Sequence, residues 1–329
     1  MSETALIHAE DLQCLFTQRR SPVDVLRGKV NRVHAVDRVS FTLHRAEILA
    51  LVGESGCGKS TVGRMLVKLQ DPTGGVLSFQ GENVGPMGGS ALKSFRRRAQ
   101  IIFQNPFEAF DPRLTVGASL HQALQIHNLG THDERQARLV EVMTRSGLTP
   151  AEDFLSRYPH ELSGGQSQRI ATVRAMLLSP EFMVADEPVS MLDVSVRADI
   201  LNQLLDLRDE EGMGIVFITH DLAVARYIAD RIAVMYLGMF VEVGPADEIV
   251  DNARHPYSRA LLSNTLPAGD EDRRGEPMHI GGEVPTPVNV KPGCRFASRC
   301  PFAFERCHTE TPELKAHGGT TEVACHLYD

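Results

Sequence analysis

An α/β fold organised around a phosphate-binding strand–loop–helix is predicted by three stretches of this chain. Glu47–Val52 is a short apolar run that reads as a buried strand and leads into Gly53-Glu-Ser-Gly-Cys-Gly-Lys-Ser-Thr61. Phe182–Ala185 is a second such run, ending at Asp186-Glu187. Gly214–Thr219 is a third, with His220-Asp221 at its C-terminal end. In open α/β sheets ligands collect at that edge of the strands.

The loop fits G-x-x-x-x-G-K-[ST] at every fixed position over Gly53, Glu54, Ser55, Gly56, Cys57, Gly58, Lys59, Ser60 and Thr61. After it, Val62, Met65, Leu66 and Leu69 recur at helical spacing. A strand feeding a glycine loop feeding a helix points backbone N–H groups at one spot. It adds the positive end of a helix dipole, about half an elementary charge. Lys59 can reach β- and γ-phosphates, and the Ser60 hydroxyl can sit on Mg²⁺. The stretch predicts binding of a nucleoside triphosphate.

With 329 residues the chain has room for about two domains and a large core. Its net charge of −8 argues against a nonspecific grip on nucleic acid. No apolar run approaches ~20 residues, and Met1-Ser-Glu-Thr-Ala lacks the basic and apolar regions of a signal peptide. A cytoplasmic protein is expected, in which the six cysteines do not form structural disulfides.

Taken in order, Leu12, Cys14 and Phe16 alternate along a first strand, and Arg19–Arg32 reads as a basic surface loop. Val39, Phe41 and Leu43 mark one face of a strand over Val36–Leu43. With Gly75–Phe79 these strands suggest an antiparallel sheet beside the nucleotide core, followed by a glycine-rich loop at Pro86–Ser90. Gln100–Phe103 is another short strand. Gln104, at its end, can present an amide to Mg²⁺ or to an attacking water, or simply be a satisfied turn residue. Leu114–Leu178 is mostly helical. Within it, Ser163-Gly164-Gly165 opens a helix carrying Ile170, Val173 and Leu177, which suits an anion and equally a plain helix cap. At Asp186-Glu187 one carboxylate can hold Mg²⁺. The next can orient or deprotonate water, a role worth ~10²–10⁴ in rate. Two carboxylates buried without a cation would be costly. His220 is expected near the γ-phosphate.

The phosphate loop, Gln104, Leu162-Ser163-Gly164-Gly165-Gln166, Asp186-Glu187, Ser190-Met-Leu-Asp193 and His220 come in an order that resembles the ATP-binding cassette ATPases, over about residues 5–245. The resemblance implies a P-loop NTPase (RecA-like) core with an antiparallel β subdomain and an α-helical subdomain. It also implies that two such domains close head to tail, the signature Leu162–Gln166 of one capping ATP held by the other. It makes Glu187 the catalytic base, puts His220 on the γ-phosphate and makes Gln104 a nucleotide sensor. Ser60, Gln104 and Asp186 become ligands of Mg²⁺, and Asp193 a link between the two sites. Adenine usually stacks on an aromatic residue before the second strand. Val30–His34 holds no Phe, Tyr or Trp, which leaves His34 or Phe16 as candidates.

Beyond residue 245, His255–Leu262 is similar to a segment that marks oligopeptide and dipeptide permease ATPases, as is Arg157–Glu161. Cys57 and Gly281–Pro287 resemble the second ATPase subunit of those permeases. The implied division is a nucleotide-binding domain over 1–245, with its helical subdomain at about 105–178, and a C-terminal extension over 246–329. That extension includes a proline-rich linker at about 265–292 and a tail with Cys294, Cys300, Cys307 and Cys325. Grouped thiols in a reducing compartment suggest a metal. The resemblance implies a [4Fe–4S] cluster; Zn²⁺, with His308 and His326 at hand, and a metal-free tail are the alternatives. The implied partners are two membrane-spanning permease subunits, a second ATPase subunit that is a paralogue or another copy, and indirectly an extracytoplasmic solute-binding protein. The location is the cytoplasmic face of the inner membrane. Peptides are the expected solute, with nickel, opines and oligosaccharides open. A soluble ATPase of DNA repair or translation fits less well, because the interval from Gln104 to Ser163 is too short for the insertions of that class.

Overall fold

The computed structural model describes residues 5–18, 30–190, 192–265, 280 and 285–329. Most of the loop read at Arg19–Arg32, Met191, most of the linker at about 265–292 and the start of the Gly281–Pro287 segment lie outside the described residues. The chain forms two compact units, one of Met1–Leu43, Ile48–Gly85 and Phe217–Asp329, the other of His44–Glu47 and Pro86–Val216.

The first unit carries the antiparallel sheet expected from the sequence. Its strands run in the order Arg32–Leu43, Ile7–Thr17, Gly74–Phe79, Glu82–Asn83. Alternation in the first strand breaks between Ala9 and Leu12, both buried, because Asp11 at φ +47° inserts a bulge. The same unit contains Ile48–Val52, buried along its whole length and parallel to Arg231–Tyr236. That second strand turns through Leu237 and Gly238, both at positive φ, into Met239–Pro245. The hairpin is absent from the strands read in the sequence, because Leu-Gly lacks the Asn-Gly or Asp-Gly signal of such a turn.

The C-terminal segment folds onto this unit. Glu322–Val323 pairs with Glu242 and Val243 of the hairpin, and Lys315–Ala316 extends the ladder. The described end of the proline-rich stretch follows the strand Arg32–Leu43. The His34 N–H donates to the Pro287 carbonyl at 2.8 Å, and the Asn289 N–H to that of Arg32 at 2.9 Å. Tyr236, Tyr257 and Phe296 form an aromatic cluster with ring centroids 4.6 to 5.5 Å apart, inside a core that also takes Ala50, Val52 and Ile249.

Beside that cluster, fully buried His255 precedes the helix Pro256–Thr265. Its Nδ1 accepts the Tyr257 N–H at 3.0 Å, which only the neutral ring can do. Burial, then Arg259, pushes its pKa down to about 3. A histidine lowered in this way supports the fold fully above the unfolded value of 6.5 and loses that support as pH falls toward 3. Between pH 7 and pH 5 the loss is about 2 kcal/mol. Wild type is expected to lose more stability over that interval than His255→Asn, which keeps an acceptor; equal losses in denaturant titrations would refute this. Glu242, also buried, accepts the N–H groups of Arg254 and His255 at 2.7 and 3.1 Å. Burial raises its pKa, so it acts in the opposite sense, in its own range above 4.5; the comparison with His255→Asn removes its contribution.

The second unit pairs Ala99–Ile102 parallel with Phe182–Asp186. Its helices Val116–Ile126, His132–Arg145, Ala151–Leu155 and Gly164–Met176 agree with the helical reading of this interval. Thr131 and Glu134 close a reciprocal capping box, and Gly212 at φ +65° ends the helix Val194–Glu211. Of the aromatic residues near the start of this region, Phe107 is 44% exposed but Phe110 only 8%.

Candidate functional site

In the first unit, the phosphate loop passes from the strand Ile48–Val52 to the helix Lys59–Leu66. Gly58 must be glycine: it sits at φ +110°, and a Cβ there would lie 2.1 Å from the Ala35 carbonyl oxygen. Lys59 is buried, and its ammonium donates to the carbonyls of Gly53 at 2.7 Å and Glu54 at 3.0 Å. A buried cation needs such partners. The charge is thereby held within the loop, beside the N–H groups of the helix start. Cys57 is buried next to it, with burial raising the thiol pKa against the lowering effect of Lys59.

Sequence spacing missed the surroundings of Glu54. Its backbone N–H donates to the Tyr257 hydroxyl at 2.8 Å, and its carboxylate takes two bonds from Arg299, at 2.8 and 3.2 Å. Tyr257 and Arg299 lie 203 and 245 residues along the chain, too far for any local pattern to associate them with the loop.

The second unit holds the acids. Asp186 is buried at the end of its strand. Glu187 follows at φ +45°, a left-handed conformation that is uncommon for a side chain of this kind and collects at functional positions. Its carbonyl accepts the Ser190 hydroxyl at 3.1 Å, and its carboxylate accepts the Gln104 amide at 3.1 Å. Gln104 and Glu187 are therefore brought together, although 83 residues separate them.

In the same unit Ser163 caps the helix Gly164–Met176. Its hydroxyl accepts the Gln166 N–H at 3.3 Å, and the Gln166 side chain accepts the Ser163 N–H at 3.1 Å. The polar side chains of the signature are engaged in the cap, and exposed Gly164 has no atom within 4 Å of where a Cβ would stand. Leu162 is buried beneath it, while Gly165 faces Val196. Asp193 is exposed at the start of the helix Val194–Glu211. His220, in the first unit, is exposed after the strand Gly214–Thr219. Phe16 is 41% exposed, whereas His34 is held by Asp37 at 3.0 Å.

The metal expected in the tail is not supported. Among the described residues no group of three or more His, Cys, Asp or Glu side chains is disposed to hold a metal ion. Burial pushes the Cys294 thiol up to about 11, and it raises Cys300 and Cys325 as well; the neighbouring cysteines add to each shift. Cys294 and Cys300 pack against the aromatic core as small apolar side chains. His326, one of the zinc candidates, has both ring nitrogens engaged, with Asp329 at 2.8 Å and the Glu310 carbonyl at 2.9 Å. The [4Fe–4S] and Zn²⁺ expectations at Cys294, Cys300, Cys307 and Cys325 are withdrawn.

A phosphate loop after a buried strand and a paired Gln–Glu at another strand end define a nucleotide-binding cassette, and residues 36–190 match the ABC transporter family. Residues 241–307 match the oligopeptide/dipeptide transporter C-terminal region. The chain is 47% identical to the dipeptide transport ATP-binding protein DppF of Escherichia coli (strain K12), covering 100% of this chain and 97% of that protein. It is 42% identical to the oligopeptide transport ATP-binding protein AppF of Bacillus subtilis (strain 168), covering 99% and 98%. This chain belongs to the ATP-binding proteins of the oligopeptide/dipeptide ABC transporter family. Among solved structures, the dimeric bacterial ABC transporter cassette MJ0796 is similar at TM-score 0.65 and 26% identity, over 73% of this chain and 98% of that one. Its post-hydrolysis dimer bound to ADP and Pi is similar at TM-score 0.64 and 25% identity, with the same coverage.

Proposed function

We propose that this chain is the ATP-hydrolysing subunit of an importer that takes up di- and oligopeptides. The observation that carries the peptide class is the match of residues 241–307 to the oligopeptide/dipeptide transporter region, supported by relatives similar along the full chain. ATP is the substrate, held by Gly53–Thr61, with Phe16 against the adenine. Ser60, Asp186 and Gln104 offer a hydroxyl, a carboxylate and an amide, an all-oxygen donor set that suits Mg²⁺. The ion, when bound, offsets charge on the phosphates. Glu187 orients and deprotonates the attacking water, steered by the Gln104 amide. His220 contacts the γ-phosphate. Leu162–Gln166 caps ATP held by a second ATPase subunit, which Asp193 couples to the first.

No helix among the described residues is long and apolar enough to cross a membrane. We place the subunit on the cytoplasmic face of the membrane, against two membrane-spanning permease subunits that receive peptide from an extracytoplasmic binding protein. The partner ATPase is a paralogue or a second copy. We assign 1–245 to the nucleotide-binding domain and 246–329 to a C-terminal extension, and propose that the helical region 105–178 docks on the permease, with exposed Phe107 near its start. Reconstitution with permease subunits and a solute-binding protein tests the reading. Peptide-loaded binding protein should stimulate ATP hydrolysis, and crosslinks from the permease should land within 105–178. Stimulation by a nickel, opine or oligosaccharide ligand instead of peptide would overturn the peptide class.

A further inference from the structure

The phosphate loop is gripped from outside by the C-terminal part of the chain. Arg299 donates to both Glu54 carboxylate oxygens, adds a bond to the Tyr236 hydroxyl at 3.3 Å and lies 5.9 Å from the centre of the Tyr236 ring. Its side chain is 8% exposed, so water and salt screen the pair little. Tyr257 takes the Glu54 N–H, and its ring is packed against Tyr236 and Phe296. The other flank of the loop is braced as well. The Cys57 carbonyl accepts the Gly238 N–H at 2.8 Å, and Arg295 bonds the Leu237 carbonyl of that turn and the Asp37 carboxylate.

We propose that Arg299 and Tyr257 are positioning residues of the nucleotide site, through which the C-terminal extension sets the affinity of the phosphate loop for ATP. The proposal rests on the reading of Gly53–Thr61 as the ATP site. Two physical effects carry it. A carboxylate within a loop that must receive a polyphosphate repels the ligand, and the bidentate guanidinium neutralises that charge. The second effect is geometric. Tyr257 fixes the direction of the Glu54 N–H, while the Glu54 carbonyl accepts from the Lys59 ammonium at 3.0 Å. The hold of the C-terminal extension on Glu54 is therefore passed to the cation that meets the phosphates. A simple staple between tail and core would alter thermal stability alone; a positioning role also moves ATP affinity.

The test uses the full-length chain and ATP titrations of wild type, Arg299→Met, Glu54→Gln and the double variant, with melting curves recorded alongside. Arg299→Met is expected to weaken ATP binding about tenfold, and the same replacement in the Glu54→Gln background less than about threefold, since the charge to be neutralised is gone. Tyr257→Phe should weaken binding about threefold, and Arg299→Lys should recover part of the Arg299→Met loss by restoring charge without the fork. In the assembled transporter, KM for ATP should rise more than kcat falls. Affinity within about twofold of wild type in Arg299→Met, or equal losses in both backgrounds, overturns the proposal. If Arg299→Met does not fold, Arg299→Lys and Tyr257→Phe decide it, and wild-type affinity in both overturns it. A wild-type chain that does not bind ATP sinks the nucleotide reading itself and this proposal with it.

Discussion

Glu187→Gln is expected to lower ATP turnover by about two decades or more while leaving ATP binding intact. Glu187 follows buried Asp186 at a strand end, and its backbone is held at φ +45°. Its carboxylate already accepts the Gln104 amide at 3.1 Å. Glutamine keeps the size and the hydrogen bond but cannot take a proton from water. Unhydrolysed ATP should then hold two ATPase subunits closed, so the variant should elute as a dimer in ATP and as the wild type does without it. Near wild-type turnover in the assembled transporter would remove Glu187 from the role of base.

Lys59→Ala should reduce ATP affinity by about a hundredfold, the loss of charge-assisted bonds worth about 2–4 kcal/mol. The Lys59 ammonium is buried and pointed into the loop by the Gly53 and Glu54 carbonyls. Alanine removes the charge and leaves those carbonyls without it, but the helix Lys59–Leu66 retains a strong helix former at its first position. Circular dichroism should therefore stay near wild type while a fluorescent ATP analogue binds about a hundredfold more weakly. A dissociation constant within about threefold of wild type would separate Lys59 from the phosphates.

The core elements were legible because their signals are local. Ile48–Val52, Phe182–Asp186 and Gly214–Thr219 are uninterrupted apolar runs and fold as fully buried strands. The cap at Ser163 was readable from the small residues and Gln166 that follow it. The hairpin Arg231–Pro245 was not read, since its turn depends on a leucine at positive φ that no propensity favours. Composition near Gln104 does not say which aromatic residue packs inward, and only the fold buries Phe110 while leaving Phe107 exposed. The tail cysteines suggest metal because they cluster in sequence, and clustering in sequence says nothing of donor geometry.

By itself the sequence determined the nucleotide chemistry of this protein, because a phosphate loop needs glycine, lysine and a hydroxyl within a few consecutive positions and a backbone turn of fixed form. Tertiary structure alone decided what surrounds that chemistry. Gln104 meets Glu187, and Arg299 and Tyr257 close on Glu54, across intervals of 83 to 245 residues. Such contacts are set by strand order and by the return of the C-terminal segment onto the core. Neither leaves a periodic trace in the residues that make the contact.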